Sequence, residues 1–298
     1  MQILELVRPW VFVVAIVFSA CAHTADPVEF KVQKLSDTLY VLFGDSGNIG
    51  VSVGTDGIFI IDDDYDGYGD DLQAAIARIS DQPIRYVINT HWHFDHAGGN
   101  EYFGRAGSVI IAHDNARERL KSGGYLETHD LDVKPAPHEA LPVITFDNSM
   151  TLHLNGEATQ VIYVEPAHTD GDAFVWFRDS NVIHTGDIFL NGVYPLVDYS
   201  SGGTINGSIA AADTLLALIN DQTRLIPGHG PVTGKADVKA FRDMLVTLSE
   251  RVAAMKKNGM SLDDVIAAAP TADLDDRWNT WGDDWRAISL RSIYGALP

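Results

Sequence analysis

The strongest constraint on this chain is the segment "THWHFDH", residues 90–96, in which three histidines and an aspartate follow a short apolar run. Alternate residues at the end of an extended strand point the same way, so His91 and His93 can bind one cation. Asp95 and His96 lie on the following turn, where they can face a second cation. One such segment cannot complete two tetrahedral shells, so we expect further ligands from distant positions.

In three other segments, a side chain that can bind a metal follows an apolar run. These are His168 in "EPAHTDGD", Asp187 in "IHTGDIF" and His229 in "IPGHGP". The glycines beside His229 allow its backbone to approach a neighbour closely. Because the sites of layered folds collect in loops that follow strands, we expect these three residues to meet the first cluster.

The order of apolar segments predicts the fold class. Strand-like segments between residues 29 and 64 precede a helix, "DDLQAAIARI", and a buried strand, "IRYVINT", that ends at the histidines. After a helix and a long loop over residues 114–141, strands, a helix (residues 205–219) and a strand recur. This order predicts an α/β protein built as a four-layer αββα sandwich. We expect one domain over residues 26–298, with a helical segment from about residue 235.

Residues 1–25 have the features of an export signal. Arg8 precedes "PWVFVVAIVFSA", an apolar run too short for a comfortable membrane span. "FSAC" resembles a bacterial lipobox with Cys21 as the lipidated residue, and cleavage after Ala25 or an uncleaved anchor helix are the alternatives. We therefore expect an exported protein, periplasmic or secreted, that reaches a membrane only through an N-terminal lipid or the leader itself.

Composition limits the partners and the metal ligands. The formal net charge is −20 and the pI is about 4.7. Such an acidic surface repels phosphate backbones, which excludes nucleic acid and leaves a small-molecule substrate as the expected partner. Cys21 is the only cysteine, so His, Asp and Glu must hold any metal in the mature domain. This donor set suits zinc, with manganese and iron as competitors.

With "HWHFDH", "AHTDGD", "TGD" and "PGHG" in this order, the chain resembles the metallo-β-lactamase superfamily over roughly residues 30–235. The resemblance implies the αββα fold and, in most hydrolytic members, two zinc ions. The implied ligands are His91, His93 and His168 for the first ion, Asp95, His96 and His229 for the second, and Asp187 for both. Asp62 matches the family's aspartate that orients a ligand histidine, with Asp63 and Asp64 as register alternatives.

The same resemblance implies a chemistry. Two zinc ions about 3.5–4 Å apart lower the pKa of a bridging water towards about 7, and the hydroxide attacks a carbonyl carbon. Asp95 would orient this nucleophile and pass on its proton. Tyr194 corresponds to a tyrosine that lactonases of the superfamily place in a comparable loop, so we expect it to enter the pocket as a second catalytic residue.

Two positions narrow the substrate class. One group of β-lactamases has a cysteine ligand at the second metal site, at the position where this chain has Asp187. These enzymes also carry a lysine at the position of Leu190. Lactamases with only histidines usually have serine at the position of Asp187. A bridging aspartate instead resembles glyoxalase II, the lactonases and RNase Z, of which the acidity and the export signal disfavour RNase Z. We expect an exported hydrolase of lactones, β-lactams or related esters and amides, with weak β-lactamase activity.

Other functions stay open as alternatives. A glyoxalase II-like thioesterase would need basic residues to bind glutathione, for which "RAGS" and "KSGG" are weak candidates. An iron-dependent oxidoreductase resembling persulfide dioxygenases shares the fold, and bound iron with oxygen uptake would favour it. A non-catalytic binding module would be favoured by metal-free purified protein, although the intact set of ligands argues against it.

Overall fold

The structure is a computed structural model that describes residues 27–297. The predicted leader, residues 1–25 with Cys21, lies outside the described residues. Among the helices of residues 27–297, none combines the length and the apolar character that a membrane span needs.

The described part of the chain contains fourteen strands: β1 (Lys31–Lys34), β2 (Leu39–Phe43), β3 (Ile49–Gly54), β4 (Gly57–Ile61), β5 (Ile84–Ile88), β6 (Val109–His113), β7 (Gly124–Leu126), β8 (Leu131–Val133), β9 (Ile144–Phe146), β10 (Ser149–Leu154), β11 (Glu157–Tyr163), β12 (Ala173–Phe177), β13 (Val182–His184) and β14 (Arg224–Ile226). Seven form a first sheet in the order β1-β2-β3-β4-β5-β6-β9, and five form a second sheet in the order β10-β11-β12-β13-β14.

Connection length decides the strand directions. Short turns join β1 to β4, which pair antiparallel, whereas β4, β5, β6 and β9 pair parallel because longer crossovers join them. In the second sheet, β13 and β14 are likewise parallel. β7 and β8 form a separate two-stranded ribbon, where the sequence predicted a loop.

Residues 27–297 also contain nine α-helices: α1 (Gly69–Ala77), α2 (Phe94–Ala97), α3 (Asn100–Arg105), α4 (Asp114–Ser122), α5 (Ile205–Leu218), α6 (Lys235–Lys257), α7 (Leu262–Ala267), α8 (Asp275–Trp278) and α9 (Asp283–Ala296). α1 and α3 cover the outer face of the first sheet, where Leu72 and Phe103 share a buried cluster with Ile58 and Ile60 of β4.

Alternation along the strands produces the remaining layers. Phe59 points to the other face of β4 and stacks on Phe177 of the second sheet, with ring centroids 6.0 Å apart. Phe174 of β12 faces outward and shares a cluster with Leu215 of α5 and Phe241 of α6. Helices, two sheets and helices therefore form four layers, and the predicted αββα sandwich is confirmed.

One edge of the sandwich holds the ends of β4, β5, β13 and β14. The Asn48 amide bridges the two sheets there, because its Nδ2 donates to the carbonyls of Pro227 at 2.8 Å and Gly230 at 2.7 Å. The backbone nitrogen of Asn48 donates to the Gly228 carbonyl at 2.7 Å. These bonds hold the loop between β2 and β3 against the loop after β14, which carries the predicted ligand His229.

Candidate metal centre

The first four predicted ligands follow β5 directly. His91 and His93 lie in the extended segment after this strand, and Asp95 and His96 lie on the single turn of α2 that begins after His93. The backbone nitrogens of His96 and Ala97 donate to the His93 carbonyl at 3.0 Å and 2.9 Å. This turn directs the second pair of side chains towards a different point from the first pair.

The predicted ligands from distant segments come to the same place. His168 follows β11, Asp187 lies in the 3₁₀ turn Gly186–Ile188 after β13, and His229 follows β14. Their neighbours hold them from behind: the backbone nitrogen of His168 donates to Asp172 at 2.8 Å, and that of Gly228 donates to the Gly186 carbonyl at 2.8 Å.

The first cluster joins His91, His93 and His168. One nitrogen of each ring lies within 4.8 Å of the others, and all three side chains are buried. Nδ1 of His93 is 2.9 Å from Nε2 of His168. The cluster therefore has three imidazole nitrogens facing a common centre.

The second cluster joins Asp95, His96 and His229, again with one ligand atom of each residue within 4.8 Å of the others. Nε2 of His229 lies 3.2 Å from Asp95 Oδ2 and 3.3 Å from Nε2 of His96. Asp187 stands between the clusters: Oδ1 is 3.1 Å from Nε2 of His96, and Oδ2 is 3.7 Å from Nε2 of His168.

Outer contacts fix which nitrogen of each ring faces inward. Nε2 of His93 is 2.9 Å from Asp198 Oδ2, and Nδ1 of His168 is 2.7 Å from the Leu196 carbonyl. Nδ1 of His96 is 2.8 Å from Asp62 Oδ2. Since carboxylates and carbonyls only accept, each of these nitrogens donates, and the other nitrogen of each ring turns to the centre.

Asp62 is the aspartate of the "DDD" run that reaches a ligand. Its carboxylate also accepts from the backbone nitrogen and the hydroxyl of Thr90, at 2.7 Å and 2.8 Å. Asp63 and Asp64, the two other candidates for this role, do not contact a ligand histidine through these bonds. The Asp63 side chain accepts from the Gly99 backbone nitrogen and the Asp64 side chain from the Tyr65 backbone nitrogen.

The inward nitrogens suit a metal ion. Nε2 of His91 is buried and has no hydrogen-bond partner among the described residues. Nδ1 of His93 and Nε2 of His168 face each other at 2.9 Å, a separation that needs a shared proton or a cation between two lone pairs. Imidazole nitrogens with carboxylate oxygens are a ligand set for divalent transition metals. The residues present therefore fit a metal centre.

Without metal, the two clusters differ in charge. Burial lowers the pKa of His168 to about 4 and that of His91 well below its ordinary value. Burial acts the same way on His229, but Asp187 and Asp95 outweigh it and raise the pKa of His229 to about 9. The same two carboxylates raise the pKa of His96. At neutral pH, protons at the second cluster thus take the place of a metal.

Comparison with known proteins places this site in a family. A sequence profile of the metallo-β-lactamase superfamily matches residues 44–229, which include all the ligands of both clusters. The chain belongs to the metallo-β-lactamase superfamily. The relatives with named activities are an acyl-coenzyme A thioesterase and a metallo-beta-lactamase, which are both hydrolases.

Two curated relatives and one solved structure illustrate the likeness. The chain is 24% identical over 160 residues to the acyl-coenzyme A thioesterase MBLAC2 of Bos taurus. The matched region covers 48% of this chain and 55%, about half, of the thioesterase. It is 23% identical over 174 residues to the metallo-beta-lactamase IND-1 of Chryseobacterium indologenes, covering 58% of this chain and 67% of that protein. A metallo-beta-lactamase from Pontibacter korlensis shares the fold, with a TM-score of 0.61 at 17% identity over 73% of this chain and 99% of that one.

A pocket of about 340 Å³ opens onto the two clusters of candidate metal ligands. His93, Asp95, Asp187 and His229 form its floor. Its walls come from six separate segments and comprise Asp45, Ser46, Tyr65, Phe94, Leu126, His129, Leu196, Trp281 and Trp285. The 114–141 segment and the loop after Asp187 thus both contribute a wall.

Tyr194 corrects one prediction. The side chain is fully buried, and its hydroxyl donates to Asp275 at 2.7 Å and to the Thr271 carbonyl at 3.3 Å, so it does not line the pocket. Burial and the Asp275 carboxylate raise its pKa. Asp275 also pairs with Arg286 at 2.6 Å. Tyr194 therefore fastens the C-terminal segment to the loop after the Asp187 ligand and is not a catalytic group in this structure.

Sequence reasoning missed five residues of the site. Phe94 lines the pocket, as does His129 from the β7–β8 ribbon. Trp281 and Trp285 reach it from the C-terminal segment, beyond the residues that match the superfamily profile. Asp198, which holds His93, was also not identified. The "DYSSGG" run around Asp198 is a turn signal, and nothing local marks that carboxylate as a partner of a histidine 105 positions away.

Proposed function

We propose that the chain is a dinuclear zinc hydrolase that cleaves the carbonyl bond of a lactone, an ester or a cyclic amide. The observation that carries this proposal is the shared position of Asp187, whose two oxygens face two separate three-residue clusters at 3.1 Å and 3.7 Å. One carboxylate between two sets of inward ligands is the arrangement that a two-metal site requires.

The donor set favours zinc. Five imidazoles and two carboxylates supply the centre, and the one cysteine of the chain is Cys21, far from it in sequence. Nitrogen-rich sets suit zinc, whereas magnesium and manganese prefer oxygen donors. His91, His93 and His168 would hold one ion, Asp95, His96 and His229 the other, and Asp187 both. Iron also accepts imidazole ligands, so metal analysis is part of the test.

The chain's own residues support hydrolysis in three ways. Bound zinc would supply a hydroxide at neutral pH and polarise the substrate carbonyl. Asp95 is the most exposed ligand side chain, at 17%, and it lines the pocket. It would orient the attacking water, take its proton and deliver that proton to the leaving oxygen or nitrogen. The water thus adds across the acyl bond, leaving an acid and an alcohol or amine.

A thioester is the second candidate substrate. The relative MBLAC2 is an acyl-coenzyme A thioesterase, and the same attack on an acyl carbon would release a thiol. Coenzyme A carries phosphates, however, and no Lys or Arg lines the pocket within the described residues. We therefore rank lactones and simple esters above coenzyme A thioesters, and β-lactams, which carry a carboxylate, as weak substrates.

The test is hydrolysis by the zinc-loaded protein across one panel of β-lactams, acyl lactones and thioesters, with metal content measured in the same sample. We expect lactone turnover that His93→Ala abolishes together with zinc binding. Turnover of β-lactams alone would contradict the ranking. Two bound zinc ions without hydrolysis of any panel member would contradict the proposed function, and bound iron with oxygen uptake would favour the oxidoreductase.

A further inference from the structure

A continuous series of aromatic rings runs along the walls of the pocket to its floor, and we call this series the aromatic arc: Tyr65, Phe94, His129, Trp285, Trp281 and His229. Successive ring centroids along the arc are 5.8, 6.5, 6.2, 4.7 and 4.9 Å apart. These spacings are those of rings in contact or nearly so. The arc ends on a metal ligand, so a group held against it would lie beside the reacting carbonyl.

The C-terminal segment holds its part of the arc in place. Nε1 of Trp285 donates to the Tyr194 carbonyl at 2.9 Å, and the Thr280 hydroxyl donates to the Gly192 carbonyl at 2.7 Å. These bonds tie the turn that carries Trp281 to the loop that follows the Asp187 ligand. The Trp281 ring itself remains 44% exposed, an unusual degree for so large an apolar side chain. An exposed tryptophan on a fixed backbone beside a metal centre is suited to bind a ligand.

The charge of the walls is the second observation. No lysine or arginine lines the pocket in the part of the chain that the structure describes, whereas the exposed carboxylate of Asp45 does. Burial, and then His93, lower the pKa of His129, so this ring is neutral at neutral pH. Arg291 is near enough to lower that pKa slightly, but it is exposed and does not line the pocket. The walls thus offer flat apolar surface and no cation.

We propose that the aromatic arc binds an uncharged aromatic or long apolar acyl group of the substrate, with Trp281 and Trp285 as its main contacts, and discriminates against acyl groups that carry a carboxylate. This inference rests on the proposed function, because it assumes that the scissile carbonyl lies at the metal centre. The ring of the substrate stacks on the tryptophans, while a terminal carboxylate would face the Asp45 carboxylate and meet no lysine or arginine among the described residues of the walls.

Three matched lactones test the substrate preference: α-amino-γ-butyrolactone acylated with acetyl, phenylacetyl or 4-carboxyphenylacetyl. Three N-cyclopentyl amides with the same acyl groups test binding, because they have no ring ester to hydrolyse. Calorimetry with the zinc-loaded protein gives their dissociation constants independently of turnover. We expect the phenylacetyl amide to bind about tenfold more tightly than either of the other two, a preference that stacking of one ring can supply.

Variants assign this preference to the arc. Trp281→Ala with Trp285→Ala is expected to raise the dissociation constant of the phenylacetyl amide about tenfold and leave that of the acetyl amide unchanged. Trp281→Phe with Trp285→Phe should retain the preference, which separates loss of stacking from misfolding. Tyr125→Ala is the matched control, since Tyr125 is 51% exposed and does not line the pocket.

Equal binding of the phenylacetyl and acetyl amides, equal binding of the carboxylate analogue, or an unaffected alanine variant would each overturn the inference. The proposed function fails separately. If the amides bind as expected but no lactone is hydrolysed, the arc binds its ligand and the hydrolase assignment is wrong. If all three lactones are hydrolysed equally, the hydrolase assignment stands and the inference about the arc is wrong.

Discussion

Asp198 accepts a hydrogen bond from Nε2 of His93 at 2.9 Å, and both side chains are buried. Across the centre, Asp62 has the same relation to Nδ1 of His96 at 2.8 Å. Each cluster thus has one histidine whose outer nitrogen is held by a buried carboxylate. Such a contact fixes the ring orientation and strengthens its inner nitrogen as a ligand.

Asp198→Asn should therefore weaken zinc binding at the first cluster by about 10- to 100-fold, because the amide keeps the shape but loses the charge. The measurement is a zinc titration against a competing chelator, which resolves two binding steps. Asp62→Asn is the matched control and should weaken the other step. If both variants affected the same step, the assignment of the two carboxylates to separate clusters would be wrong.

Zinc binding at the second cluster should depend more steeply on pH than binding at the first. The pKa of His229 is raised to about 9 and that of His96 is raised well above its ordinary value, so at neutral pH zinc must displace a proton from each ring. In the first cluster only His93 has a raised pKa, and His168, with a pKa of about 4, is already neutral. Affinity at each step should rise by about tenfold per pH unit for each proton displaced.

Chelator titrations at several pH values below 9 check this difference in slope. His229→Ala should remove the steeper step and leave the shallower one in place. Equal slopes for the two steps would show that the charges of the metal-free clusters are not as the geometry indicates.

Gly228→Ala should displace the bridging carboxylate. A Cβ at this position would fall on Oδ1 of Asp187 and press on the backbone of Gly186. We expect the variant to fold but to bind one zinc ion fewer per chain and to lose activity. Gly234→Ala is the matched control, because a Cβ there meets nothing closer than the Thr223 carbonyl at 3.8 Å. Full zinc content in Gly228→Ala, measured by elemental analysis, would contradict the bridging position.

Tyr194→Phe should lower stability without removing activity. The change deletes the hydroxyl that donates to Asp275 at 2.7 Å, at a cost of about 1 kcal/mol in the free energy of unfolding. Urea unfolding followed by fluorescence measures this loss, and kcat on the best lactone should stay close to that of the unchanged protein. A fall in kcat of about a hundredfold or more would instead make Tyr194 an acid or base in the reaction.

The sequence alone determined the layered fold and predicted the candidate metal ligands. The candidate ligands lie in segments that follow short apolar strands, and the type of each side chain already states which atom it offers a metal. His91 and His93 could be assigned to one cluster from their spacing, and the family resemblance supplied the partners from distant segments. The alternation of Ile58 and Phe59 along β4 likewise appears in the sequence before it appears as two packed faces.

The tertiary structure decided what surrounds those ligands. Whether Tyr194 points into the pocket or away from it depends on Asp275, 81 positions along the chain, and the pairing of His93 with Asp198 spans 105 positions. Trp281 reaches the centre because α8 and α9 pack against α6 and the loop that follows Asp187. Periodicity reports which face of an element is buried but not which other element covers it, so the walls of the pocket follow from packing.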